Sequence, residues 1–183
     1  MELKTERLCL RPITRKDLRA VLAYACDLSN AEYMVYYPKT EQEAVSYVEE
    51  TASQWEEEEP ITYEFAVLLD GEMIGTVSLW LEEADGVEIG WILNRHYWGC
   101  GYGTEAAAAV LRFMSEELGI SSCISCCDTR NIASARMMEK LGMKRILQRT
   151  RIYERGGRSC TGICLSVDCL KFKNFRQFSF SGS

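Results

Sequence analysis

"GVEIGWILNRHYWGCGYGTEAAAAVLRFM", Gly86 to Met114, decides the fold. Its first part reads as a strand that follows a turn at Asp85-Gly86, and its last part is a run of strong helix formers. The helix is expected from about Gly103 to Leu118, where Gly119 stops it. Between strand and helix, Gly99, Gly101 and Gly103 stand at alternate positions. Such a turn gathers backbone N–H groups on one side, and the helix N-terminus adds partial positive charge. Glycine also removes the Cβ that would hold a bulky phosphate off the backbone. The spacing Gly-x-Gly-x-Gly is neither the dinucleotide fingerprint nor the P-loop, and no Lys follows to reach a terminal phosphate. On the glycines alone, an anion site and a tight ligand-free turn both fit.

Working outward, "ERLCLRP" alternates and stops at Pro12, a first strand. Thr14 then caps an amphipathic helix carrying Leu18, Val21, Leu22 and Ala25. Thr40 and Glu43 form a capping-box signature for a second helix with a stripe of Ala44, Val45, Val48 and Ala52, ending near Pro60. Its acidic end, Glu56 to Glu59, reads as a solvated face. "TYEFAVLLDGEMIGTVSLWL" is a hairpin turning at Asp70-Gly71. Beyond the central helix come a strand, "SSCISCCD", a helix, "NIASARMMEKLG", closed by Gly142, and a hairpin turning at Gly156-Gly157. The order β-α-α-β-β-β-α-β-α-β-β predicts an α/β fold of α+β type. Its sheet is mixed and mostly antiparallel, with about seven strands covered by about four helices. Residues 1–169 are expected to form one domain, and 170–183, rich in Phe, a partly disordered tail.

The 183 residues are 47% hydrophobic and 26% charged, with a formal charge of -6. This is globular composition, and its sign argues against a nucleic-acid groove. No apolar run reaches the ~20 residues of a membrane span, and no signal segment opens the chain, so a cytoplasmic protein is expected. Nine cysteines without export suggest reduced thiols. Cys123 and Cys126 are formally CxxC, but three residues apart on a strand they face opposite ways, so no metal site is expected.

The central stretch, followed by "NIASARMMEKLGM", resembles the GCN5-related N-acetyltransferase superfamily. "TERLCLRPIT" and "YWGCGYGTEA" resemble its branch of ribosomal-protein-alanine N-acetyltransferases, over roughly residues 2 to 168. The resemblance implies the acyl-CoA N-acyltransferase fold and acetyl-CoA as donor. It places the pyrophosphate on the backbone of Trp98, Gly99, Cys100, Gly101, Tyr102 and Gly103, with the Thr104 hydroxyl beside them. Trp98 stands where many relatives have Gln or Arg, and Cys100 where a basic residue is common. The resemblance further implies that the backbone of Ile92 and Leu93 holds the pantetheine arm and thioester, helped by a strand bulge for which Gly90 is a suitable position. Asn131 and Ser134 match an Asn-x-x-Ser that contacts the donor; helix capping by Asn131, with Ser134 solvated, is the plainer alternative.

Acetyl transfer to an amine needs a base, an oxyanion site and a proton for the leaving thiolate. Glu88 is the candidate base, directly or through water, or else a carboxylate that only orients the ammonium. Met138 occupies the place of the usual tyrosine acid, which leaves Ser134 or a water. Tyr153 on the last hairpin is a weaker candidate, and His96, the one histidine, reads as solvent-facing. Cys100 at a helix start is a conceivable nucleophile, but direct transfer in a ternary complex is simpler. Tyr33, Tyr36, Tyr37, Trp55 and Trp80 are candidates to line the acceptor pocket, with Glu82, Glu83 and Asp85 supplying negative potential. The acceptor would be a primary amine, as in a protein N-terminus, a polyamine or an aminoglycoside, and the chain a monomer or homodimer. A catalytically silent acyl-CoA sensor is the rival reading.

Overall fold

Alternating apolar residues divided by turn chemistry lay down the first half of the sheet in chain order. A short β1 (Leu3–Lys4) folds back on β2 (Leu8–Pro12), β2 pairs with β3 (Thr62–Leu69) and β3 with β4 (Glu72–Trp80), all antiparallel. At the β3–β4 turn Asp70 and Gly71 take φ of 51° and 83°, the paired left-handed geometry that a two-residue hairpin needs. The computed structural model describes residues 1–30, 32–34, 38, 40–81, 86–155 and 158–169, and for 147–155 and 158–161 the backbone alone.

β5 (Glu88–Leu93) pairs antiparallel with β4. Helix α3 (Tyr102–Glu116) then crosses over and returns the chain as β6 (Ser122–Asp128), which runs parallel to β5. Helix α4 (Ile132–Lys140) leads into the hairpin β7 (Lys144–Arg155) and β8 (Arg158–Asp168), with β8 inserted beside β6. The sheet order is β1-β2-β3-β4-β5-β6-β8-β7. The expected architecture is present, with eight strands instead of seven because Leu3–Lys4 forms a separate one. The turn between β1 and β2 is closed by Thr5, whose N–H donates to the Leu8 carbonyl at 2.9 Å.

Two cores flank the sheet. Phe65, Val67, Val77, Leu79, Ile89 and Leu93 pack with Ala106, Ala107, Val110, Leu111 and Met114 of α3 and Met138 of α4. The alanines let α3 lie close to the strands, and their burial accounts for a helix that looks featureless in sequence. On the other face, Val21, Tyr24 and Ala25 of α1 (Leu18–Ala25) meet Ala44 and Val48 of α2 (Glu41–Ser53). Thr40 caps α2 by accepting from Glu43 N at 3.2 Å. α2 stops at Ser53, short of Pro60, and passes into a 3-10 turn over Gln54–Glu56. The run of like charges from Glu56 to Glu59 gives a helix nothing to gain there.

The reduced-thiol expectation is corrected at one pair. Cys126 and Cys164 are directly opposed on β6 and β8, 4.2 Å apart at Cα, and form a disulfide. That distance belongs to a non-hydrogen-bonded antiparallel pair, where side chains come closest. Cys123 does face the opposite way, buried with its Sγ 4.0 Å from that of Cys169.

Candidate active site

The parallel strands β5 and β6 meet where Glu88 lies opposite Ile124, with the Ile124 N–H donating to the Val87 carbonyl at 2.9 Å. From there each follows its outer neighbour, β5 along β4 to Leu93 and β6 along β8 to Asp128. Among the described residues no further β5–β6 pair is recorded, so the sheet opens as a wedge with Glu88 at its apex. Helices α3 and α4 begin just past the two carboxyl ends, which makes the mouth of the wedge a switch-point crevice.

The glycine turn forms one lip of that mouth. Gly99 and Gly101 have φ of 78° and 85°, conformations in which a side chain is strained. A Cβ at Gly99 would meet nothing within 4 Å, so the approach to this backbone is open. Gly101 is the N-cap of α3 and offers no side chain to cap it, whereas Thr40 and Asn131 cap α2 and α4. The first-turn N–H groups of Tyr102, Gly103 and Thr104 are therefore left without a side-chain cap, an arrangement suited to receive an anion. Gly103 serves packing, since a Cβ there would lie 2.9 Å from Met137 Sδ on α4. These features fit a pyrophosphate. Trp98, half-exposed, turns its Nε1–H onto the Leu93 carbonyl at 2.8 Å, so that carbonyl already has a donor.

Sequence reasoning missed the cation at this turn. Arg7, from the β1–β2 turn, donates from Nη1 to the Cys100 carbonyl at 3.0 Å and lies 4.5 Å from the centre of the Tyr102 ring. Its Nε and backbone N–H grip Glu105 on α3 at 2.7 and 3.0 Å. Burial pushes the Glu105 carboxyl up, but Thr5, the Arg7 N–H and the guanidinium outweigh it and hold the group below the usual range. Nothing in the sequence signals a contact across 93 residues.

On the other lip, Asn131 Oδ1 accepts from Ser134 N at 3.0 Å, so the capping alternative is realised for Asn131. Ser134 is half-buried rather than solvated. Its hydroxyl hydrogen-bonds towards the Cys127 thiol and partly offsets the upward push of burial on that thiol. Met138 is fully buried and His96 is exposed.

Strand alternation and register put Glu88, Gly90 and Ile92 on the α1–α2 face, in rows with Trp80, Ser78 and Thr76 of β4. The Glu88 side chain is buried. Gly90 does not carry the bulge suggested for it, because the β4–β5 register runs unbroken from Gly75 opposite Leu93 to Trp80 opposite Glu88. What it does is seat an aromatic ring, since a Cβ at Gly90 would lie 2.6 Å from Trp80 Cζ3. Trp80 thus covers the strand next to Glu88. Trp55 belongs elsewhere, stacked edge-on with Tyr63 and Phe65 on the α3 side. Tyr33 is half-buried with Arg130 over its ring at 5.8 Å. Asn30 Oδ1 takes the Arg95 N–H at 2.6 Å, and Asp27 pairs with Arg95 at 3.3 Å. The chain after α1 therefore touches both lips, through Arg95 past β5 and Arg130 past β6. Tyr36, Tyr37, Glu82, Glu83, Asp85, Gly156, Gly157 and the tail lie outside the described residues, as does the Tyr153 side chain.

A second acidic group lies on this face. Glu64 of β3, opposite Ser78, is fully buried among Ser78, Thr76, Tyr47 and Tyr24. Burial raises its carboxyl above the usual range, and the Ser78, Thr76 and Tyr47 hydroxyls offset only part of this. A folded-state pKa above the unfolded one means that the native state holds its proton longer. Stability should then fall as pH rises from about 4.3, the unfolded value, to the folded pKa, and level off above it. Glu64→Gln is expected to erase that descent when melting temperatures of the two proteins are compared between about pH 4 and 8. A difference between them that stays constant across this range would refute it. A charged residue at an inward strand position was the legible signal here.

The family model for the acetyltransferase (GNAT) domain matches residues 7–144. The chain is 32% identical over 147 residues to YnaD, an uncharacterized N-acetyltransferase of Bacillus subtilis (strain 168), covering 79% of this chain and 84% of that one. A solved acetyltransferase of the GNAT family from Bacillus anthracis superposes with a TM-score of 0.79 at 27% identity, over 93% of this chain and 99% of the other. RimL, the ribosomal L7/L12 alpha-N-protein acetyltransferase, solved in complex with Coenzyme A, shares the fold at TM-score 0.79 and 15% identity, over 92% and 98% of the two chains. With a wedge at Glu88, an uncapped helix at its mouth and these likenesses, the chain belongs to the GNAT superfamily and is an acetyl-CoA-dependent acetyltransferase.

Proposed function

We propose that the protein moves the acetyl group of acetyl-CoA to a primary amine, a protein N-terminus or a small-molecule amine, by direct transfer in a ternary complex. The observation that carries this reading is the wedge, with an uncapped helix N-terminus at its mouth and a buried glutamate at its apex on the opposite face. The donor's pyrophosphate lies on Gly99 to Thr104, its arm runs along Ile92 and Leu93, and Asn131 and Ser134 border it. The Leu93 carbonyl is already taken by Trp98.

The amine reaches the thioester from the α1–α2 side, past Tyr33 and Trp80. Glu88 takes a proton from the ammonium, directly or through water, and the free amine attacks the thioester carbonyl. The C–N bond forms, the C–S bond breaks, and the thiolate collects a proton from Ser134 or a water. The buried Met138 supplies none. A cytoplasmic location fits this chemistry, and among the described residues no helix is long and apolar enough to cross a membrane. RimL's described action on a ribosomal-protein N-terminus makes that acceptor class the first to try.

The test is release of free CoA from acetyl-CoA with a panel of N-terminal peptides, polyamines and aminoglycosides. Amine-dependent release at least tenfold above background hydrolysis is expected for one class. Release that no amine stimulates would leave an acyl-CoA binder and end this proposal.

A further inference from the structure

We propose that Arg7 is a positioning residue for the donor: it holds the Cys100–Gly101 peptide so that the Gly101 N–H points into the pyrophosphate site. The inference rests on the assignment of the glycine turn to pyrophosphate.

A trans peptide carries its C=O and N–H on opposite sides. The Arg7 guanidinium fixes the Cys100 carbonyl from beneath, donating at 3.0 Å. The Gly101 N–H, on the far side of that peptide, is thereby aimed away from Arg7. A charged donor on the carbonyl also polarises the peptide and strengthens its N–H as a donor. Gly101 needs such a hold, because at φ 85° with no side chain its backbone is free to reorient.

Arg7 is itself immobilised. Glu105 Oε2 takes Nε at 2.7 Å and lies 2.6 Å from Nη2, while Oε1 takes the Arg7 N–H at 3.0 Å and the Thr5 hydroxyl at 2.5 Å. One planar group thus spans a carboxylate on α3 and a carbonyl of the turn that precedes it, which an ammonium cannot do. The cation missing at Cys100 is supplied from the N-terminal strands, and it acts on the backbone rather than as a point charge.

The experiment compares Arg7→Gln and Arg7→Lys with the unmodified protein, using acetyl-CoA and acetyl-pantetheine, which lacks the pyrophosphate. Melting temperatures without ligand establish that each variant is folded. For Arg7→Gln the KM for acetyl-CoA should rise about tenfold, the loss of one charge-assisted hydrogen bond, with kcat within about twofold and the acetyl-pantetheine KM unchanged. Arg7→Lys, which keeps the charge and a partner for Glu105, should behave like Arg7→Gln; if only the lysine variant folds, it carries the test. A lysine variant with the original acetyl-CoA KM would overturn the orienting role in favour of charge alone. Equal losses with both donors would overturn it in favour of general structural damage. If the unmodified protein itself bound both donors equally, the pyrophosphate assignment would fall instead.

Discussion

Gly101→Asp is expected to give a folded protein that no longer binds CoA. The new side chain would start 3.4 Å from Arg7 Nη2 and stand at the N-cap of α3. Its carboxylate can pair with Arg7 or cap the first-turn N–H groups, and either choice neutralises a positive feature meant for phosphate. That same pairing offsets the roughly 1 kcal/mol that a left-handed φ costs a residue with a Cβ, so the fold survives. Losing two charge-assisted hydrogen bonds corresponds to about a hundredfold or more in affinity. The measurement is the CoA-dependent rise in melting temperature, which should vanish while the ligand-free value moves by only a few degrees. An undiminished rise would remove the glycine turn as the anion site.

Glu88→Gln is expected to lower kcat/KM by about 10²–10⁴-fold, the usual worth of a general base. The amide keeps the shape at the wedge apex, so donor binding should be retained. Without a base, turnover follows the fraction of acceptor already unprotonated, and the pH profile should rise tenfold per unit until the amine's own pKa. The loss is therefore largest at low pH. If Glu88 instead only orients the ammonium, the variant will show a raised acceptor KM with the original pH profile.

Local patterns made the architecture legible because local chemistry sets it. Asp70-Gly71 forces the hairpin, Thr40 starts α2, and the three glycines start α3 where their spacing says they should. The parting of β5 from β6 was not legible, since which strands pair depends on contacts remote in sequence. Resemblance alone suggested the place of the thioester, and it misplaced the device: Gly90 makes room for Trp80 and leaves the register intact. Arg7 was invisible for the same reason, its partners being Cys100, Tyr102 and Glu105. The Cys126–Cys164 bond needed the insertion of β8 beside β6, an order that chain sequence does not announce.

The wedge also bears on how the protein behaves when it is empty. A sheet that divides at Glu88 has two interior rims, Ile89–Leu93 and Ser125–Asp128, presenting main-chain groups to each other across a gap. Such rims are as receptive to extended chains as the outer border of any sheet, yet here they lie at its centre and escape the charges and prolines that protect a border. A ligand lodged between them would act as a splint, tying the β1–β5 half to the β6–β8 half, and would stabilise the fold by mass action in proportion to its concentration. The cohesion of this protein would then follow the cell's supply of its own donor.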